Sequence, residues 1–392
     1  MQIAERELLL RDSGFVRILK LAAESKGLIS LGPGEPDFDT PGFVRAAAKK
    51  ALDQGKTHYS AIQGMPALRE AIAAKFKREK HVHADPDKNV IVTCGSNEAL
   101  FLAFMSVLDP GEEVLVPDPC FLGYLPAIES MDAYPVSIQL KQEERFQLIA
   151  EDVRAAIKDP KRVRAIVLSS PSNPTGTIFK KKSLEELADL AIEHDFLVFM
   201  DEAYEKFCYK GKPFSFASLN GVEDHCVTFQ SFSKTYAMPG FRLGYAVGPE
   251  KLITAMSRLH TYTTLCAPTM SQIAGVAALN GPQSCVEKMR REYDRRRKLV
   301  VKRLGSIPGF ELAEPDGAFY AFPRISFRKG GKPLTSTQYC ELLLKEAKVL
   351  AVPGTEFGRF GEGFIRLSYA TSLPLIEEAL DRIEKHSQKL ES

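Results

Sequence analysis

Short apolar runs alternate with mostly apolar segments of helical length through the first two thirds of the chain. Residues 90–93 (VIVT) and 114–116 (VLV) are apolar runs followed by turn residues, and 96–108 between them has the pattern of a helix. These segments predict a strand, a helix and a second strand. The same unit recurs as a strand at 164–168, a helix at 183–194 and a strand at 196–200, and further strand signals follow at 226–229 and 243–247.

This alternation predicts an α/β fold with a largely parallel sheet that is buried on both faces. Such sheets place their ligands at the carboxyl ends of the strands. A polar or glycine-rich turn follows each of the first five predicted strands, with the sequences CGSNE, PDPCF, SSPSNPTG, DEAY and SFSK. We therefore predict a ligand site formed by these five turns.

A charged segment at 285–304 (CVEKMRREYDRRRKLVVKRL) has its apolar positions roughly on one stripe, which is typical of a solvated helix that bridges two domains. We predict a large, ligand-binding domain over residues 45–284 and a smaller one over 285–392. The smaller domain should end in a helix at 375–390. Residues 1–44 should form an N-terminal arm and contribute to the smaller domain.

Composition narrows the function classes. The 392 residues include 52 basic and 50 acidic side chains, and a net charge of +2 argues against a nucleic-acid-binding surface or a polybasic membrane patch. Seven dispersed cysteines without a CxxC pair predict neither a metal site nor a disulfide framework, and they suit a reducing cytoplasm. The N-terminus carries charges and no apolar run reaches membrane-spanning length, so we expect a soluble, unprocessed, cytoplasmic protein.

Gly95 and Ser96 stand where a predicted strand gives way to a helix. Free backbone N–H groups and the positive end of the helix dipole meet at such a point, which favours an anion such as a phosphate. The same two residues also suit an ordinary helix N-cap, and this motif alone leaves both interpretations open.

Three polar residues follow other strands. Asp201 ends the apolar run FLVFM, so its carboxylate should be partly desolvated and should need a cationic or hydrogen-bonding partner. Tyr204 could offer its hydroxyl group to the same cavity, and Asn173, between two prolines, could have its amide fixed inward. Taken singly, an acid that caps a turn and a proline-rich turn are equally acceptable interpretations.

The segment SFSKTYAMPGFRLG places Ser231, Lys234 and Arg242 within a short span. The arginine fork matches a phosphate dianion, whereas a lysine attacks carbonyl groups only when neutral. A second cation nearby and exclusion of water would lower the lysine pKa enough for that reaction. With the acid, the amide and the phenol, these groups meet the needs of pyridoxal 5′-phosphate for its phosphate, ring nitrogen, 3-hydroxyl group and aldehyde.

At these residues the chain closely resembles the fold-type I, pyridoxal-phosphate-dependent aminotransferases of class I and II, and within them the archaeal aromatic and aspartate aminotransferases. The resemblance implies a mostly parallel seven-stranded sheet flanked by helices, with a smaller α/β domain. The motifs that carry it, in order, are LGPGEPDFDTP, HYSAIQGMPALREAI, CGSNEAL, PSNPTG, DEAY, SFSKTYAMPGFRLG, GAFYAFP and FIRLSYAT.

The resemblance assigns roles to the matching residues. Lys234 would hold the cofactor covalently and act as the acid-base catalyst, and Asp201 would pair with the pyridine N–H. Asn173 and Tyr204 would hydrogen-bond the 3-oxygen. The residues implied for the phosphate are Gly95, Ser96, Asn97, Ser231 and Arg242.

Four more residues match the family pattern at the substrate and the subunit boundary. Phe121 falls at the aromatic position that stacks on the cofactor, where many members have Trp or Tyr. Arg366 and Gly34 match the residues that meet the substrate α-carboxylate, and Asn173 is implied beside them in substrate binding. Tyr59 matches a tyrosine that reaches the phosphate of the neighbouring subunit, which implies a homodimer with shared active sites.

The resemblance implies transamination by a ping-pong mechanism, from an L-amino acid to a 2-oxo acid such as 2-oxoglutarate. Acid-specialised relatives often carry a lysine at the place of Asn97, so we expect aromatic or broad-range donors, with an aspartate aminotransferase or a pyridoxal-phosphate lyase as alternatives. A DNA-binding regulator is disfavoured because about 30 residues precede LGPGEPDF, too few for a helix-turn-helix domain. A Rossmann dehydrogenase is disfavoured because GPGEPD lacks the third glycine of that motif.

Overall fold

The computed structural model describes residues 27–211 and 214–390. The strands are β1 (Ile29–Ser30), β2 (Val90–Thr93), β3 (Glu113–Asp118), β4 (Tyr134–Gln139), β5 (Val163–Ser169), β6 (Leu197–Asp201), β7 (Cys226–Ser231), β8 (Gly244–Val247), β9 (Phe310–Glu311), β10 (Tyr320–Ala321), β11 (Arg324–Ile325), β12 (Arg328–Lys329), β13 (Lys332–Pro333), β14 (Val349–Leu350), β15 (Val352–Pro353) and β16 (Ile365–Ser368).

The α-helices are α1 (Gly42–Asp53), α2 (Pro66–Lys80), α3 (Ser96–Val107), α4 (Tyr124–Glu129), α5 (Ala150–Ala156), α6 (Lys181–His194), α7 (Phe232–Thr235), α8 (Glu250–Thr263), α9 (Thr269–Asn280), α10 (Ser284–Leu304), α11 (Ser336–Leu342) and α12 (Leu373–Ser387). A π-helical turn, Leu343–Ala347, continues α11. Short 3₁₀ turns lie at Phe216–Ser218, Pro239–Phe241, Gly354–Phe357 and Arg359–Gly361.

Seven strands form the main sheet, in the order β2-β8-β7-β6-β5-β3-β4. Strand β8 runs antiparallel to both of its neighbours, β2 and β7, and the other pairs are parallel. The predicted α/β fold with a mostly parallel sheet is confirmed. The carboxyl ends of β3, β5, β6 and β7 therefore meet at one edge, where their following turns come together.

Strand β6 shows how the sequence buries the sheet on both faces. Phe199 packs against Phe104 of α3 on one face, with ring centroids 5.3 Å apart. Val198 and Met200, its neighbours along the strand, point to the opposite face and belong to the apolar core that includes Leu187 of α6. Since side chains alternate along a strand, a continuous apolar run requires helices on both sides.

A second apolar core lies outside the main sheet. It is formed by α10, α12 and the small sheet β10-β16-β15, and it contains Tyr293, Phe319 and Ile376. Helix α10 buries its apolar stripe, as its sequence predicts. It also buries Arg296 and Arg297, so less of its polar face is exposed to solvent than we predicted. Arg296 makes a two-pronged ion pair with Asp37, with N–O distances of 2.7 and 3.0 Å.

The segment that contains β1 is hydrogen-bonded to strands outside the main sheet. β1 pairs in parallel with β14, and the Leu31 carbonyl accepts the Ser368 N–H at 2.7 Å. These bonds bring the glycines of LGPGEP beside β16, which carries Arg366. No helix in the part of the chain described here is both long enough and apolar enough to cross a membrane.

Candidate active site

A cavity of about 560 Å³ opens at the carboxyl edge of the main sheet. A larger cavity, of about 930 Å³, lies elsewhere, but its Lys80 forms ion pairs with both Glu202 and Glu205. The smaller cavity is the better candidate because its charged groups face open space. The predicted site residues that line it are Gly34, Ser96, Asn97, Phe121, Asn173, Asp201, Tyr204, Ser231, Lys234, Arg242 and Arg366.

One end of the cavity is a cradle of backbone and cationic groups at the start of α3. Gly95 has φ of 92°, a conformation that favours glycine, and a Cβ there would lie 2.5 Å from an Nη atom of Arg242. The N–H groups of the first helical turn have no partners within the helix. Arg242 donates to the Pro239 carbonyl at 2.9 Å, and the Ser231 hydroxyl accepts the Ser233 N–H at 3.1 Å. The cradle therefore presents positive charge and free donors to an anion.

Asp201 lies buried at the end of β6. Its carboxylate accepts the Tyr124 hydroxyl at 2.9 Å and the Ala203 N–H at 3.1 Å. Burial raises the pKa of Asp201 to about 6, against the lowering effect of those two hydrogen bonds. A carboxylate in this position favours a ligand that brings a positive or N–H group to it.

Lys234 lies on the short helix α7, and its Nζ donates to the Gly34 carbonyl at 2.5 Å. Burial first of all, together with the guanidinium groups of Arg366 and Arg242, lowers the pKa of the Lys234 amine to about 8, against the opposing charges of Glu35 and Asp201. At pH 7 about one amine in ten is then neutral, compared with about one in a few thousand for an ordinary lysine.

Arg366 is buried on β16 and lies over two aromatic rings, 4.4 Å from the ring centre of Tyr320 and 4.7 Å from that of Phe357. It donates to the Asn173 side-chain oxygen at 2.9 Å and to the Gly32 carbonyl at 2.5 Å. Among the described residues, its buried Nε has no hydrogen-bond partner. Arg366 lines the cavity, and the guanidinium hydrogens that these bonds leave over suit a carboxylate.

Comparisons with known proteins decide the family. Residues 26–383 match the family described as aminotransferase class I and II. The chain belongs to this family. It is 45% identical to an aspartate aminotransferase of Pyrococcus abyssi and 44% identical to aromatic-amino-acid aminotransferase 2 of Thermococcus litoralis, with 98% of each chain covered in both cases.

Two solved structures support the same assignment. The aromatic aminotransferase of Pyrococcus horikoshii is 43% identical, covers 96% of this chain and 99% of its own, and superposes with a TM-score of 0.89. The Thermus thermophilus aspartate aminotransferase with maleate is 38% identical, covers 98% of this chain and 100% of its own, and has a TM-score of 0.92. The protein is thus a pyridoxal-phosphate-dependent aminotransferase of fold type I.

The site of this aminotransferase fits its cofactor. The anion cradle suits the phosphate, buried Asp201 suits the pyridine N–H, and Lys234 supplies an amine of lowered pKa. Tyr204 and Asn173 also line the cavity, but each already has a partner: the Tyr204 hydroxyl lies 2.7 Å from that of Tyr320, and Asn173 accepts from Arg366. Binding of the 3-oxygen by these two residues remains a prediction.

Three aromatic residues of the aminotransferase site were not predicted from the sequence. Tyr124 bonds Asp201, and Tyr320 and Phe357 contact Arg366. The motif GAFYAFP contains Tyr320 and offered a signal, whereas Tyr124 and Phe357 are placed by tertiary packing alone. Tyr59 does not line the cavity, and it is 83% exposed on the single chain. Its contact with a neighbouring subunit therefore stays a prediction.

Proposed function

We propose that this aminotransferase takes the amino group from aromatic L-amino acids, tyrosine and phenylalanine foremost, and passes it to 2-oxoglutarate in a ping-pong cycle. One observation carries the choice of donor. The cations that line the cavity in the described chain are Lys234, Arg242 and Arg366, and each has a use already, at the cofactor aldehyde, the phosphate and the α-carboxylate. No lining cation is left to bind a second carboxylate on the donor, and Asn97 stands where a lysine could supply one.

The walls of the cavity suit an apolar side chain. Phe121 and Leu122 line it together with Tyr320, so an aromatic ring would contact apolar surface rather than a buried charge. The second carboxylate of 2-oxoglutarate needs a donor group from outside this lining, and a residue of the partner subunit is the natural source. The chain of 2-oxoglutarate is one methylene longer than that of aspartate, so a donor placed for the acceptor would lie beyond the reach of the aspartate side chain. The choice of this acceptor rests on the family resemblance.

The chain's own residues would divide the work between binding and proton transfer. When bound, pyridoxal phosphate supplies an electron sink for the charge left on the substrate Cα after its proton is removed. Arg366 would hold the α-carboxylate through the guanidinium hydrogens that Asn173 and Gly32 leave free, beside the backbone of Gly34. Lys234 would take the Cα proton, since its amine has a pKa near the working pH. Asp201 would keep the pyridine nitrogen protonated.

The proposal includes a homodimer in the cytoplasm. Several large apolar side chains are exposed on the single chain, among them Ile62, three residues after Tyr59, and Phe101 and Met105 one turn apart on α3. A second copy would cover such surface, and Tyr59 would then reach the cofactor phosphate of the neighbouring site.

The division into a large domain of residues 45–284 and a smaller one of 285–392 with 1–44 is part of the same proposal. It places Lys234 and Asp201 on the large domain and Gly34 and Arg366 on the smaller one. A substrate would then bridge the two, and its binding would draw them together.

A panel of amino donors tests the choice of substrate. With 2-oxoglutarate as acceptor, tyrosine and phenylalanine should give kcat/KM at least about tenfold above that of aspartate, because a buried second carboxylate would stay unpaired. Aspartate is the second candidate, since several relatives near 40% identity are named aspartate aminotransferases. Fast turnover of aspartate with none of tyrosine or phenylalanine would replace the first choice by the second. Loss of amino acid without transfer of its amine would indicate a lyase.

A further inference from the structure

Asp118, the last residue of β3, is a buried carboxylate that lies outside the cavity lining and binds a distant turn. Its Oδ2 accepts the Arg359 N–H at 3.0 Å, and its Oδ1 accepts the Phe360 N–H at 3.3 Å. Gly358 precedes both donors with φ of 123°, and a Cβ there would lie 2.2 Å from Oδ1 of the carboxylate. The turn approaches Asp118 so closely that only glycine fits without a shift.

This carboxylate has no ion-pair partner within the part of the chain described. The groups that face it are the two backbone N–H groups, the Ser137 hydroxyl, the Cys120 thiol and, at longer range, the Arg359 guanidinium. Burial raises the pKa of Asp118 to about 6, against the lowering effect of those hydrogen bonds. Hydrogen bonds to the turn, rather than an ion pair, therefore hold this carboxylate in place.

The turn that Asp118 holds carries the aromatic ring under the carboxylate-binding arginine. Phe357 immediately precedes Gly358, and its carbonyl accepts the Cys120 N–H at 2.7 Å. Asp118 and Cys120 thus fix the turn from both sides of Pro119. The Phe357 ring is fully buried and lies 4.7 Å from the Arg366 guanidinium.

We propose that Asp118 is a positioning residue for amino acid binding: by fixing the Gly358–Phe360 turn, it holds Phe357 against Arg366 and so aims the guanidinium at the substrate α-carboxylate. This inference rests on the proposed role of Arg366. Arg366 would bind the carboxylate equally in the ground state and in the transition state. Loosening it should therefore raise KM and leave kcat nearly unchanged.

Asp118→Asn gives the direct test, since it keeps the size of the side chain and replaces one acceptor oxygen by a donor facing a backbone N–H. We expect KM for tyrosine and the dissociation constant of unreactive 3-phenylpropionate, measured by calorimetry, to rise about tenfold, with kcat within about twofold of wild type. Gly358→Ala pushes the same turn away from an intact Asp118 and should give the same rise. The test therefore does not depend on one variant folding.

A double-mutant cycle with Phe357→Leu separates positioning from a general loss of structure. If Asp118 acts through Phe357, Asp118→Asn should add little to the effect of Phe357→Leu. An unchanged dissociation constant in Asp118→Asn, or effects that add fully in the double variant, would overturn the inference.

Arg366→Gln separates the proposed role of Arg366 in substrate binding from the positioning role of Asp118. Unchanged binding of 3-phenylpropionate in that variant would overturn the role of Arg366 and the inference with it. Lost binding in Arg366→Gln beside normal binding in Asp118→Asn would overturn the positioning role alone.

Discussion

Lys234 combines burial with two neighbouring guanidinium groups, and this environment makes its amine reactive at ordinary pH. Because its pKa is lowered to about 8, the neutral fraction should rise steeply between pH 7 and pH 9 and level off above that. We predict that the rate at which the apoenzyme takes up pyridoxal phosphate follows this curve, with its midpoint near pH 8. Stopped-flow absorbance measures this rate directly. A rate that still rises nearly tenfold between pH 8.5 and pH 9.5 would show that the amine has an ordinary pKa.

Asp201 should oppose folding in the apoenzyme and favour binding in the holoenzyme. Its folded-state pKa of about 6 lies above the value of an unfolded chain, so the folded state binds more protons, and stability is lost as pH rises from about 4 to about 6. At pH 8 the ionised group costs on the order of 3 kcal/mol. Asp201→Asn removes this cost.

We therefore predict that apo Asp201→Asn is at least as stable as wild type in urea unfolding at pH 8. The dissociation constant for pyridoxal phosphate should rise at least about 100-fold, because the pyridine N–H loses its charged partner. Marked destabilisation of the apo variant would mean that the carboxylate is satisfied by the protein alone.

At the scale of single elements, the start of α3 depends on Glu98. Its carboxylate accepts the Cys94 N–H and the Thr264 hydroxyl, both at 2.6 Å, and lies 3.4 Å from Nε2 of buried His260. Burial alone would raise the pKa of Glu98, but the nearby His260 ring and the hydrogen bonds from Thr264 and Cys94 outweigh it and lower the pKa to about 2. The stabilisation is fully present above the unfolded pKa of about 4.5 and is lost progressively as pH falls from there through about 2.

Glu98→Gln should lower the free energy of unfolding at pH 7.5 by about 1–3 kcal/mol, since charged hydrogen bonds are replaced by neutral ones. It should also weaken cofactor binding, because the phosphate cradle lies one turn away. Urea unfolding with and without pyridoxal phosphate measures both effects. Glu70→Gln, on the exposed face of α2, serves as the matched control and should change neither. Equal stability of the two variants would remove Glu98 from this role.

Elements that bury both faces were predictable, and those whose direction depends on distant packing were not. Apolar runs located β2, β3, β5, β6 and β7 because a buried strand excludes polar residues. The antiparallel direction of β8 leaves no trace in periodicity, and two-residue strands such as β10 and β15 are too short for a pattern. Helices α2, α8 and α9 also escaped notice.

The site shows the same division. The polar residues after the strands, such as Asp201 and Lys234, were predictable because parallel strands bring their carboxyl ends to one edge. The aromatic residues Tyr124 and Phe357 were not, since their directions are set by α4 and by the turn that Asp118 holds.

In the whole molecule we expect a dimer in which each subunit contributes Tyr59 to the active site of the other. Tyr59→Ala and Lys234→Ala should each be strongly impaired as homodimers, for different reasons. When the two are unfolded, mixed and refolded together, half of the dimers should be hybrids with one intact site. We predict recovery of about a quarter of wild-type activity, measured beside light scattering for the oligomeric state. No recovery in a sample that is dimeric would mean that Tyr59 does not serve the neighbouring site.

We propose that Lys234 catalyses the exchange of an amino group between an amino acid and the bound cofactor. The most direct measurement mixes the holoenzyme with L-tyrosine in the absence of any 2-oxo acid and follows the visible absorbance of the bound cofactor. We expect this absorbance to fall in wild type and to return when 2-oxoglutarate is added, with glutamate formed in equal amount. Lys234→Ala should stay folded and bind cofactor without this exchange. Exchange at the wild-type rate in Lys234→Ala, or loss of tyrosine with release of ammonia and no glutamate, would contradict the account.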